Sequence, residues 1–198
     1  MRETANGNSE AAVDTWLAGI RFSEHLANGG TLIFALIAKS ALLPNLRALT
    51  TESKHGHLSD TQRKQVSAEL KGMRKDGFDW SAAWRFEENV GAAIFDEVRS
   101  SANPAATYQM LMGEPMANGA GVPSSEDVSK YREYMTAVQA ALNLPPETAK
   151  TRLLTLETQK RVLPEAIQRV IPGTQKLNDS RLEVFVTRNE LLESIAAR

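Results

Sequence analysis

The chain contains no cysteine among its 198 residues. This absence excludes disulfide bonds, thiol nucleophiles and cysteine-ligated metal centres. It does not assign a compartment, because a reducing cytoplasm and a disulfide-free periplasmic protein would both suit such a chain. The formal net charge is only -1, so the chain lacks the excess of one sign that would attract nucleic acid or anionic lipid. We therefore expect no nucleic-acid partner.

Long hydrophobic runs are also lacking. The longest one, residues 32–43, contains Lys39 and Ser40 and ends at Pro44, which leaves it short of the ~20 apolar residues that span a bilayer. We predict no membrane span here, but a core helix over residues 31–49 that kinks or restarts at Pro44. Because this helix is apolar on every side at its start, we expect it to be enclosed by the rest of the protein.

The polar N-terminal residues 1–8 contain no apolar signal-peptide core. A cytoplasmic protein is expected from this stretch, unless a leader was removed, in which case a periplasmic or secreted protein is favoured.

Apolar residues that recur every three or four positions predict an all-α fold, a helical bundle of six to eight helices. A first helix begins after a cap at Asn8 or Ser9 and ends at Gly29-Gly30. A third begins at the capping box of Ser59 and Gln62 and buries only a narrow stripe of Val66, Leu70 and Met73. A fourth is expected to reach as far as residue 103.

The C-terminal part predicts a helical hairpin. Tyr131, Met135, Val138 and Leu142 form a seam of three- and four-residue steps, and the seam continues through Leu153 and Leu156 after the Pro145-Pro146 corner. Residues 181–187 alternate like a strand but also fit a helix. Because no other segment resembles a strand that could pair with them, we predict a helix.

Residues 113–125 are rich in Gly, Pro, Asn and Ser, which is typical of a linker. We predict a single all-helical domain over residues 1–198. The alternative is a division into an N-terminal bundle, residues 1–112, and a C-terminal hairpin with the terminal helix, residues 124–198.

Two charges lie on otherwise apolar helix faces and are the candidate binding residues. Lys39 interrupts the second helix, and Glu87 falls within the apolar arc of the fourth. Each would be costly to bury alone, whereas a pair offsets much of the cost. We predict a Lys39–Glu87 pair. The alternative is that Lys39 extends its ammonium group to the surface while Glu87 pairs locally.

His55, His57 and Asp60 are the closest approach to a metal-binding motif, but they lie on a loop and lack helical spacing. We expect divergent imidazoles and no metal. The sequence contains no recognisable cofactor motif, and we predict no cofactor and no catalytic residue.

The stretch Trp16-Leu17-Ala18-Gly19-Ile20-Arg21, with Gly29-Gly30-Thr31-Leu32-Ile33 after it, resembles a segment of uncharacterised, predicted exported helical proteins of bacteria. The resemblance covers residues 12–49. It implies an all-helical protein outside the cytoplasm and carries over no catalytic or binding residue.

Taken together, these patterns favour a non-enzymatic helical binding or scaffold domain of the bacterial cell envelope, whose partner is an unknown protein or a small-molecule ligand. The alternative is a hydrolase or lyase that uses Glu87 as general acid or base, with His25 contributed by the first helix. The oligomeric state is left open.

Overall fold

The computed structural model describes residues 9–116 and 121–197, and within these ranges it contains helices and no β-strand. The predicted all-α fold is confirmed. Asn8 and residues 117–120 of the linker-like passage lie outside the described ranges. In chain order the helices are α1 (Ser9–Ala27), α2 (Leu32–His55), α3 (Asp60–Gly72), α4 (Trp80–Ser100), α5 (Pro104–Met112), α6 (Ser125–Leu142), α7 (Pro146–Lys160), α8 (Glu165–Val170) and α9 (Thr174–Ala196).

The chain forms two compact units. The first unit comprises Met1–Trp80 and Asp179–Arg198, and the second comprises Ser81–Asn178. The described residues of the passage 113–125 therefore belong to the second unit. The two compact units do not show whether the chain folds as one domain or as two. The predicted single domain and its alternative division therefore stay predictions.

In the first unit, α2 is longer than predicted. The hydroxyl of Thr31 accepts a hydrogen bond from the Phe34 N–H (3.2 Å) and caps its start, and Gly56 ends it with a left-handed φ of 76°. The predicted end near Leu49 and the restart at Pro44 are wrong, because the helix continues through Pro44. Because Pro44 has no backbone N–H, the carbonyl of Ser40 lacks its intrahelical hydrogen bond. Since Pro44 and Ser40 are both exposed, water can satisfy that carbonyl.

The short helix α3 agrees closely with its prediction. Its capping box at Ser59 and Gln62 is formed, and Val66, Leu70 and Met73 are buried. The helix ends at Gly72, and Gly77, with a φ of 95°, allows the turn that follows.

The terminal helix α9 confirms that residues 181–187 are helical. It places two buried arginines in the first unit. The guanidinium of Arg181 donates to the Asp76 carboxylate from Nε (3.0 Å) and Nη2 (2.8 Å). Arg188 donates to the carbonyl of Leu70, near the end of α3, where the helix dipole favours a positive charge.

In the second unit, α6 and α7 form the predicted helical hairpin. Tyr131, Met135, Val138 and Leu142 are buried on α6, and Leu153 and Leu156 are buried on α7. Trp84 of α4 packs in the same unit and donates its indole N–H to the carbonyl of Met135 (3.0 Å). The predicted hairpin is confirmed.

Candidate functional site

Lys39 has its ionic partner within the first unit. Its Nζ lies 2.6 Å from Oε2 of Glu183 and 3.3 Å from the hydroxyl of Ser180, both on α9. Glu183 also accepts a hydrogen bond from Arg47 (2.7 Å), so one carboxylate joins two cations of α2. These contacts assign Lys39 a structural role at the α2–α9 contact. Glu87 belongs to the second unit, and the predicted Lys39–Glu87 pair stays a prediction.

The two cations hold the pKa of the Glu183 carboxyl below its ordinary value of 4.5, mainly through the hydrogen bond from Lys39. A carboxyl with a depressed folded-state pKa stabilises the fold above its unfolded pKa, and the contribution is lost as the pH falls through the folded pKa. At pH 7 we expect Glu183→Gln to lower the free energy of unfolding by about 1 kcal/mol or less, because the pair is partly exposed. The loss should shrink at pH 3 in urea denaturation; an equal loss at both pH values would contradict this role.

Glu87 is half-buried on α4. Its main-chain carbonyl accepts a hydrogen bond from the hydroxyl of Tyr131 (3.2 Å), as does the carbonyl of Glu88 (3.3 Å). The Tyr131 ring lies against Gly91, where an added Cβ would collide with the phenol oxygen. Burial, reinforced by the charges of Glu88 and Glu87, raises the pKa of this phenol. A phenol is neutral near pH 7 even at its ordinary pKa, and here it packs against Gly91 and donates a hydrogen bond.

The most unusual feature of the first unit is a group of large apolar side chains that are exposed to solvent. Five large apolar side chains of α1 and α2 face solvent: Phe22 (61% exposed), Ile33 (68%), Phe34 (41%), Leu36 (41%) and Ile37 (49%). We call these five residues the apolar surface. The expectation that α2 is enclosed on every side is wrong for this face. The opposite face, which includes Leu42, Leu46 and Leu49, is buried.

Helix geometry places three members of the apolar surface side by side. Ile33, Leu36 and Ile37 are three or four residues apart and therefore share one face of α2. On α1, Gly19 lies against Asn45 of α2, since a Cβ on Gly19 would come within 2.5 Å of the Asn45 amide. Phe22 follows Gly19 by three residues, which is about 60° around the helix. It therefore lies next to the face of α1 that contacts α2 and is itself exposed. The apolar surface thus extends over both helices.

The size of the apolar surface matches that of the largest apolar patch on an ordinary monomer. At roughly 200 Å² for a large side chain, the exposed fractions of the five residues correspond to about 500 Å². The largest apolar patch of an ordinary monomer is about 300–600 Å², and such patches are often functional.

Within the described residues, α2 is also long and apolar enough to cross a membrane by length and composition alone. These two criteria are weak evidence for a span, because the core helix of a soluble protein meets them too. In the fold, α2 packs against α1, and its Lys39 pairs with Glu183 of α9.

A charged cleft of about 340 Å³ lies at the C-terminal end of α1 in the same unit, and its lining includes Glu24, His25, Arg74 and Asp79. Burial, reinforced by the nearby charge of Glu69, raises the pKa of the Glu24 carboxyl. Arg74 lies 3.5 Å from Asp79, so part of the charge in the cleft is already neutralised within the protein.

The rings of His55 and His57 stack with centroids 5.6 Å apart, so the expectation of divergent imidazoles is wrong. Nδ1 of His57 lies 2.9 Å from the carboxylate of Glu52. In the part of the chain that the structure describes, no group of three His, Asp or Glu side chains is placed to hold a metal ion. The predicted absence of a metal stays a prediction.

Sequence reasoning located Lys39 but missed its partner and missed the apolar surface. Glu183 lies 144 positions further along the chain, and no local pattern connects the two residues. The apolar surface had a visible signal in the unbroken apolar start of α2, but that signal was assigned to the core. No family model matches the chain, and no curated protein or solved structure is significantly similar to it.

Proposed function

We propose that this protein is a non-enzymatic helical binding module and that it binds its partner through the apolar surface. The observation that carries the proposal is the exposure of the five large apolar side chains on neighbouring faces of α1 and α2. Leaving about 500 Å² of apolar area in water costs roughly 25 cal/mol for each Å². A partner that covers this area recovers part of that free energy after the cost of association, and patches of this size are often functional.

The fold makes the surface suitable for docking. The α1–α2 hairpin is held from behind by buried side chains, including Ile20, Leu42 and Leu46, and from the side by the Lys39–Glu183 ion pair. A rigid surface loses little conformational entropy on binding. The cell-envelope setting of the proposal rests on the resemblance of residues 12–49 alone.

The proposal is tested by native mass spectrometry of the protein purified from its own host. We expect the wild-type protein to carry a bound partner and the double variant Ile33→Ser/Ile37→Ser to lose it. Both side chains are exposed, so each substitution should change the free energy of unfolding by no more than about 0.5 kcal/mol.

The matched control is Leu154→Ser/Val162→Ser, which removes two exposed apolar side chains of the second unit and should retain the partner. A wild-type protein that is isolated bare, or a partner that the Ile33→Ser/Ile37→Ser variant keeps, would contradict a binding role for the apolar surface.

A further inference from the structure

The exposed face of α2 has a bulky half and a small half. Ile33, Leu36 and Ile37 provide large side chains over the first two turns, whereas Ser40 and the half-buried Ala41 follow on the same face. Ile33 and Ser40 are seven residues apart, or about 10 Å along the axis. A surface that changes from bulky to small in this way fits a partner with the reverse order.

A second copy of the same helix, turned end to end, has the reverse order. If a two-fold axis passes between Leu36 and Ile37, then Ile33 of each copy faces Ser40 of the other, and the central pair packs on itself. In a parallel arrangement Ile33 would face Ile33 and Ser40 would face Ser40, which crowds one end and leaves a gap at the other. We propose that the apolar surface pairs with that of a second copy, with the two α2 helices antiparallel.

This inference rests on the proposed function and specifies the partner. The exposed area agrees with what a stable dimer needs. A standard interface buries about 800 Å² on each partner, and about 65% of a homodimer interface is apolar, which corresponds to about 500 Å² of apolar area for each copy. The apolar surface provides this amount when all five of its side chains, including Phe22 of α1, are covered.

The charges of the surface favour a second copy over an anionic membrane. Between residues 26 and 51 the charged residues are Lys39 and Arg47, and both are paired with Glu183. Two cations and one carboxylate leave a net charge of only about +1 to repel an identical copy. Equally little positive charge is left to attract anionic lipid headgroups, which peripheral helices usually need.

The absence of cysteine allows a direct test by disulfide cross-linking. Under copper–phenanthroline oxidation at micromolar protein, we expect Ile37→Cys to form a covalent dimer, since its two copies lie next to the proposed axis. Ile33→Cys should not, because its two copies would be about 10 Å apart along the axis, beyond the ~7 Å limit for Cα atoms in a disulfide. The matched control is Val162→Cys, an exposed position of the second unit.

Cross-linking of Ile37→Cys no faster than that of Val162→Cys would overturn the proposal. Equal cross-linking of Ile33→Cys and Ile37→Cys would overturn the antiparallel arrangement. Sedimentation equilibrium gives an independent measure: the wild-type protein should be a dimer, and Ile37→Asp should raise the dissociation constant at least about tenfold while its circular dichroism stays helical.

The outcomes separate this inference from the proposed function. A wild-type protein that remains monomeric in sedimentation, yet carries a different protein from its host or floats with phosphatidylcholine vesicles in an Ile37-dependent way, would overturn the second copy as partner. The binding role of the apolar surface would survive that result. A monomer that carries nothing would overturn both.

Discussion

Asp76→Ala is expected to lower the free energy of unfolding by about 3–5 kcal/mol, because it removes the carboxylate from a buried ion pair. The Arg181 side chain is only 1% exposed, and both its Nε and its Nη2 donate to Oδ2 of Asp76. Without this carboxylate the guanidinium charge stays buried and loses the ion pair with Asp76. Urea denaturation at pH 7, followed by circular dichroism, measures the loss.

Two further variants test whether the loss comes from the buried ion pair. Asp79→Ala removes a carboxylate that forms an exposed pair with Arg74 and directly precedes the first residue of α4. It should cost no more than about 2 kcal/mol, because an exposed pair and a helix N-cap are each worth little more than that. The double variant Asp76→Ala/Arg181→Met should recover much of the stability, since replacing both charges removes the cost of burying either. If Asp76→Ala is no more harmful than Asp79→Ala, the ion pair does not hold the turn after α3 against α9.

The second large effect is expected at Trp84 in the second unit. Trp84→Ala should lower the free energy of unfolding by about 3–5 kcal/mol, because it leaves a cavity in the core. The side chain is fully buried, and the substitution also leaves the carbonyl of Met135 without the indole N–H that bonds it. The loss is measured in the same urea denaturation experiment.

Phe86→Ala is the matched control for this prediction, since it shortens an exposed aromatic side chain on the same helix. It should change the stability by about 0.5 kcal/mol or less. Equal losses for Trp84→Ala and Phe86→Ala would show that α4 does not bury Trp84 against α6.

Features that depend on nearby residues could be predicted from the sequence. The capping box at Ser59 needs only Gln62, and the hairpin of α6 and α7 needs only two apolar seams and a proline corner. Helix α5 had a similar local signal, with Asn103 as its cap, Pro104 in its first turn and a left-handed Gly113 after its end. We did not predict α5, although these signals were sufficient to find it.

Features that depend on distant residues could not be predicted in this way. Asp76 and Arg181 are 105 positions apart, and periodicity assigns a residue to a helix face without naming the residue it meets. Lys39 was recognised as unusual for its helix, but its partner Glu183 lies on α9, where many charges alternate with apolar residues. A pair of this kind requires the tertiary structure.

The apolar surface illustrates a further limit. Ile33 and Leu42 are both apolar residues of α2, yet the first is exposed and the second is buried. Composition and periodicity treat the two alike, because an interface and a core are built from the same side chains. Only the exposure of each residue in the fold separates a face that packs inside from one that remains available for a partner.

The binding role of the apolar surface is tested most directly by hydroxyl-radical footprinting of the protein in extracts of its own host. Phe22 and Phe34 report on the surface, while Phe86 and Met110, which are exposed on the second unit, serve as internal controls. We predict that Phe22 and Phe34 are protected in the extract and become labelled in Ile33→Ser/Ile37→Ser, while the two controls are labelled in both. If Phe22 and Phe34 are labelled to the same extent in the wild-type extract as in the Ile33→Ser/Ile37→Ser extract, the account is contradicted.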